Sequence, residues 1–253
     1  MKKLLFLTAT ILLLAACSPS PKEFQYSWEY HYMDSTYEEG EDLTAAQIIT
    51  KYQPMLADLM EIIGYTDRVI KKESGAESEL SNFAADAMRI IAETSINEPV
   101  QVGLTNYGGI RTDMPKGDVR VYDIYSIFPF NNKVVICKVK GSNLKIFLDK
   151  MAEKGRMECL SGVELVVDNK KLTKCYVAGK PIDDNAIYNF AVNDFLLEGG
   201  DGVSLGSISE SMVNTEVIMR DGIVDYIKDL TAAGQKIDPK KDGRIVIINN
   251  EMR

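Results

Sequence analysis

Histidine is nearly missing: in 253 residues there is one, His31. A binuclear hydrolytic centre polarises its substrate and generates hydroxide near neutral pH, and borderline metals in such a site call for several imidazoles. One histidine cannot build it. A serine or cysteine nucleophile needs a neighbouring base, yet the sequence has no Gly-x-Ser-x-Gly elbow. His31 itself lies in an acidic, tyrosine-rich stretch and reads as an incidental surface residue. No catalytic residue, metal ligand or cofactor is therefore assigned to this chain. Positive charge is also short, with 29 Lys and Arg against 37 Asp and Glu. That balance disfavours binding to a nucleic-acid polymer, which rests on clustered cations neutralising phosphates.

Cysteine is scarce too. Cys17 aside, Cys137, Cys159 and Cys175 are an odd set that permits at most one internal disulfide. Their spacing fits no zinc pattern. Cys137, inside an apolar β-rich run at 134–139, reads as a buried structural thiol. A Cys159–Cys175 bridge in an oxidising compartment stays open.

A hydrophobic run long enough to span a bilayer, roughly 20 residues, is absent. The longest apolar stretch covers 4–14, follows Lys2 and Lys3, and ends at Ala15-Ala16-Cys17. This is the pattern of a bacterial lipoprotein signal. Residues 1–16 are expected to be cleaved, leaving acyl chains on Cys17 as the membrane anchor. Ser18 in place of an aspartate points to the outer membrane, facing the periplasm or the cell surface.

Residues 17–42 lack sustained periodicity and read as a tether, and 43–253 as the globular domain. Ile48, Tyr52, Met55, Leu56, Leu59, Ile62 and Ile63 recur every three or four residues, predicting a helix capped by Thr44 and ended by Gly64. Leu80, Phe83, Ala84, Ala87, Met88 and Ile91 predict a second after Glu79. Strands are expected at 100–105, 134–139, 163–167, 172–177, 187–192 and 244–248, helices at 145–151 and 217–230, and a helix or turn at 122–127. No regular βαβ alternation appears. The expected class is α+β, a mixed α/β sandwich of several small mixed sheets with packed helices.

Three segments carry recognisable chemistry. In Asn106-Tyr107-Gly108-Gly109-Ile110-Arg111, paired glycines allow close approach of backbone to a ligand and the arginine fork suits phosphate or sugar oxygens; a solvated arginine after a turn is the alternative. In Phe128-Pro129-Phe130-Asn131-Asn132, an aromatic face and an amide can serve a nucleobase, although either phenylalanine also suits a core. In the run at 193–202, Phe195 precedes Gly199-Gly200-Asp201-Gly202, and a carboxylate in a glycine-rich turn suits two ribose hydroxyls. A calcium loop would need alternating oxygen ligands that are not there.

These segments in this order, preceded by Glu77-Ser78-Glu79-Leu80-Ser81-Asn82-Phe83-Ala84-Ala85-Asp86-Ala87 and followed by Gly243-Arg244-Ile245, resemble the C-terminal domain family of 5′-nucleotidases and UDP-sugar hydrolases. The resemblance implies a substrate-specificity pocket. Phe130 and Phe195 would clamp a base and Asn106 and Asn132 bond it, while Asp201, carried in the substrate-binding turn of Gly199 and Gly200, would bond the ribose hydroxyls, and Arg111 the sugar-phosphate side. It further implies that phosphate hydrolysis belongs to a metallophosphatase with a divalent metal pair, here expected on a partner protein, so that this chain is inert alone. The ligand would be a nucleoside or nucleoside monophosphate. Some relatives carry an arginine near Ala76 or a glycine in place of Ser81, and the extra positive charge that helps hold phosphate there is absent here, which makes nucleosides credible ligands. The alternative function is a non-enzymatic nucleoside-binding surface lipoprotein.

Overall fold

The computed structural model describes residues 26–30, 43–155, 157–203 and 205–248. The expectations for 1–16, Cys17, His31 and most of the tether lie outside the described residues. By its contacts the chain divides into two units, 1–51 and 52–253. In the first, residues 26–30 carry no regular structure and helix α1 begins at Leu43, ending at Tyr52.

The long first helix expected to run to Gly64 is not formed. Pro54 has no backbone N–H to donate and crowds the preceding turn. Short 3-10 turns at Gln53–Leu56 and Asp58–Met60 follow α1, and then strand β1, Ile62–Thr66. Gly64 lies inside β1, where a Cβ would come within 2.6 Å of Ile227. It is a packing glycine and not a helix terminator.

The remaining elements are α2 (Glu79–Ile96), β2 (Val102–Thr105), β3 (Gly117–Arg120), α3 (Val121–Ile127), β4 (Lys133–Lys140), α4 (Gly141–Glu153), β5 (Cys159–Ser161), β6 (Val163–Asp168), β7 (Lys171–Val177), β8 (Lys180–Pro181), β9 (Ile187–Asn193), α5 (Asp194–Leu197), β10 (Ser209–Ile218), α6 (Met219–Ala232) and β11 (Ile245–Ile248). They form a β1-β3 pair, a five-stranded sheet β10-β4-β9-β2-β5 and a four-stranded sheet β11-β6-β7-β8. The two larger sheets are mixed, with β2 parallel to β9 and β11 parallel to β6. The fold is the expected mixed α/β class.

The central five-stranded sheet feeds two cores because side chains alternate between its faces. On β4, Val134 and Ile136 join α2, α3 and α6 in one core, while Val135, Cys137 and Val139 join α4 and the four-stranded sheet in the other. With both faces covered, the strand is a nearly continuous apolar run. On β2, Gly103 faces α2 so closely that a Cβ would come within 2.6 Å of the Ala85 carbonyl. Cys137 is fully buried as expected, and burial pushes its thiol pKa up. Cys159 and Cys175 stand in different sheets and form no disulfide with each other. The thiol of Cys175 is pushed up to about 11 by burial.

Several expected boundaries shift, the helix expected at 145–151 running Gly141–Glu153. The helix expected at 217–230 starts at Met219, because Val217 and Ile218 complete β10. The strand expected at 100–105 begins at Val102, and that expected at 244–248 begins at Ile245.

Candidate functional site

The candidate site owes its existence to register. Leu104 of β2 lies beside Val192 of the parallel β9, and Val134 at the start of β4 pairs with Asn193 at the end of β9. The exits of β2 and β9 and the entrance of β4 therefore share one edge of the sheet. Segments 106–111, 128–132 and 194–202, far apart in sequence, emerge there side by side. A crevice beyond the carboxyl ends of strands is where open α/β sheets bind ligands.

A chain of polar groups ties two of these segments together. Asn193 is 1% exposed and caps α5, its Oδ1 accepting from the Leu196 N–H at 2.9 Å. Its Nδ2 donates to Asn106 Oδ1 at 3.2 Å, and Asn106 Nδ2 donates to Asp201 Oδ2 at 3.0 Å. Asp201 sits in the left-handed region at φ 51°, between Gly200 and Gly202. Lys154 donates to the Gly202 carbonyl at 2.8 Å and steadies the turn from outside. Gly200 is required by contact: a Cβ there would lie 2.5 Å from the Phe195 ring. The ring therefore rests on the turn that carries Asp201.

The third segment is joined to the first through its backbone. The Arg111 N–H donates to the Ile127 carbonyl at 2.8 Å, and the buried Glu158 carboxylate accepts from the Tyr107 N–H at 2.7 Å. The Arg111 guanidinium donates to the Gly108 carbonyl at 3.1 Å and stands 5.9 Å from the Phe130 ring centroid, a cation–π distance. Phe128 turns into the core, whereas Phe130 is 47% exposed and Phe195 43% exposed. Among the described residues no ring contact joins Phe130 to Phe195.

Asn106, Gly109, Phe130 and Asn132 line one small open cleft, together with Asn193 and Arg220. Asp201 reaches it through Asn106, and Arg111 through Phe130. Two contributors were not anticipated as site residues. Asn193 is legible as a cap before Asp194-Phe195-Leu196, but its inward amide is not. Arg220 gives no local signal, because it lies near the start of an amphipathic helix and donates to the Pro129 carbonyl, 91 residues away, at 3.0 Å. Its neighbour Asp221 accepts from the Tyr125 hydroxyl at 2.9 Å, and that bond, with burial, holds the Tyr125 pKa above its ordinary value.

The family model for the C-terminal domain of 5′-nucleotidases matches residues 33–206. The chain belongs to the 5′-nucleotidase C-terminal domain family. This nucleotidase C-terminal domain is 28% identical over 228 residues to the trifunctional nucleotide phosphoesterase protein YfkN of Bacillus subtilis, a match covering 81% of this chain and 15% of that protein. It is 32% identical over 125 residues to protein UshA of Yersinia enterocolitica, covering 48% of this chain and 23% of that one. Among solved structures, the 5′-nucleotidase precursor of Thermus thermophilus superposes with a TM-score of 0.69 at 26% identity, over 82% of this chain and 44% of that one. The NAD nucleotidase of Haemophilus influenzae shares the fold, with a TM-score of 0.63 at 20% identity. The chain spans about a quarter or less of these two curated relatives.

Proposed function

We propose that this domain is the specificity half of a nucleotidase-type system, capturing a nucleoside or nucleoside monophosphate for a metallophosphatase on a separate polypeptide. The observation that carries the reading is the Asn193–Asn106–Asp201 relay at the sheet edge, flanked by two half-exposed phenylalanines. Asp201 presents an oxygen, Oδ1, that makes no bond within the described residues and is suited to ribose hydroxyls. Phe130 and Phe195 offer π-faces to a base. Asn132, whose backbone carbonyl accepts from the Met219 N–H at 2.8 Å, keeps its amide for the base edge. Among the described residues the Arg111 guanidinium bonds a neutral carbonyl and no carboxylate, which leaves it for the phosphate side.

The divalent metal pair of such a system is assigned to the partner, because the donors here do not fit it: the cleft offers amides and the Arg220 guanidinium, with the one carboxylate of Asp201 behind Asn106. The lipid anchor on Cys17 would hold the domain at the outer membrane. Ala76, packed against the second core, brings no charge to the ligand. That favours a nucleoside over a nucleotide, the ligand expected of the second reading, a surface lipoprotein that works without an enzymatic partner.

Calorimetric titration with adenosine, AMP and uridine tests the pocket. Saturable binding is expected, weakened by roughly 1–3 kcal/mol in Phe130→Ala and in Phe195→Ala, the value of a base–aromatic stack. Unchanged affinity in both variants would remove the pocket. Metal-dependent phosphate release from AMP is expected only after the metallophosphatase is added, and no gain on mixing would leave the second reading.

A further inference from the structure

Arg220 occupies an unusual position for a cation. Its side chain is only 16% exposed, its Nη1 donates to the Pro129 carbonyl at 3.0 Å and its Nε to Asp221 Oδ1 at 3.4 Å. The guanidinium also lies 4.3 Å from the Tyr125 ring centroid. These contacts fix the plane of the fork. Nη2 makes no hydrogen bond within the described residues. The helix start that carries Arg220 also holds the Phe130–Asn132 loop, through the Met219 N–H to Asn132 carbonyl bond at 2.8 Å. Arg220 and Asn132 therefore share the wall of the cleft beside Phe130.

Arg220, which lines the cleft, and Arg111, which reaches it through Phe130, differ in charge balance. Arg111 is exposed and bonded to a carbonyl, whereas Arg220 is largely buried and paired with Asp221. A largely buried guanidinium that already has a carboxylate beside it and a fixed fork is a poorer phosphate clamp than an unpaired one and a good reader of neutral oxygens. We infer that Arg220 selects the base, favouring rings that present a carbonyl at this edge (hypoxanthine, guanine, uracil) over rings that present an amino group there (adenine, cytosine).

The inference rests on the nucleoside-binding reading above. Its physical ground is that a guanidinium carries only donors and cannot be deprotonated in a protein. A ring carbonyl meets it with an acceptor, as guanine O6 and N7 meet arginine elsewhere. An exocyclic amino group meets it donor to donor and leaves a buried donor unpaired, the situation in which binding sites discriminate most strongly. Asn132 cannot make this choice, because its amide can turn to offer either oxygen or nitrogen.

Inosine and adenosine form the test pair, differing at the position that Arg220 reads, with uridine and cytidine as the second pair. Calorimetry on the full-length protein should find inosine bound about tenfold more tightly than adenosine, the effect of one unpaired buried donor. Arg220→Met should collapse that ratio to near unity, with thermal unfolding run alongside to verify folding. If the methionine variant does not fold, Arg220→Gln, whose amide can turn to accept, should collapse it likewise. Equal affinity for inosine and adenosine in the wild type would overturn the inference while leaving the pocket intact. A variant that weakens both ligands in the same proportion would overturn it too, by reducing Arg220 to a support for the loop. Failure to bind any of the four nucleosides would overturn the inference together with the proposed function.

Discussion

Two polar regions of this domain carry the strings that resemble the family, and they use their hydrogen bonds in opposite ways. At the start of α2 the groups are committed to one another. Ser78 and Ser81 exchange bonds in a capping box, with Ser81 N–H to Ser78 Oγ at 3.0 Å and Ser78 N–H to Ser81 Oγ at 2.7 Å. Asn82 donates to Glu77 and to the Lys240 carbonyl, and Arg68 bridges Glu79 and Asp238. Arg244 grips Asp86 through two bonds of 2.8 and 3.0 Å. At the sheet edge, the Asn132 amide, Asp201 Oδ1 and Arg220 Nη2 stay uncommitted among the described residues. A motif string does not distinguish a scaffold from a contact surface. Hydrogen-bond accounting does, because the groups of the first region pair with one another while those at the sheet edge stay open to water or to a ligand.

The contrast predicts that the first region governs stability and the second binding. Arg244→Ala should be the most damaging change, about 3 kcal/mol by urea unfolding, the lower end for breaking a buried ion pair. Asp86 is a third open to water, which keeps the cost there. Nucleoside affinity should stay at the wild-type level, and a parallel loss of binding would break the division. Phe195→Ala should do the reverse. Its stability should move by no more than about 0.5 kcal/mol, as for other exposed positions, while binding falls by roughly 1–3 kcal/mol.

Ser78→Ala removes one half of the capping box and should cost about 1 kcal/mol of stability, read as a lower unfolding midpoint. The smallest effect is a pH dependence. Arg244 beside Asp242 holds that carboxyl below its usual range. A carboxyl depressed in the folded state adds stability that is present above its unfolded value, near pH 4, and lost as pH falls through the lowered folded value. Asp242→Asn should therefore reduce stability at neutral pH and flatten the acid limb of unfolding measured below about pH 4. With the side chain half exposed, the change should stay under about 1 kcal/mol.

Elements with strong local periodicity were legible: α2, the apolar β4 and the alternating β6 stand where the pattern predicts. The failures have physical causes. Ile62 and Ile63 continue a helical spacing, yet Pro54 stops the helix before them and β1 pairs with β3. Strand β10 is the edge of its sheet, with Met212 and Val213 half exposed, so no clean alternation marks it in sequence.

By itself the sequence determined the class of the fold, the family, and the residue types available to a ligand, because periodicity and short motifs are local properties of the chain. Only the tertiary structure decided which phenylalanine faces water, that Asn193 links Asn106 to the Asp201 turn, and that Arg220 joins the cleft. Those facts depend on the pairing of β4 and β9 and on the packing of α6 against a distant loop, and strand register and helix docking are set by contacts between residues far apart in the chain.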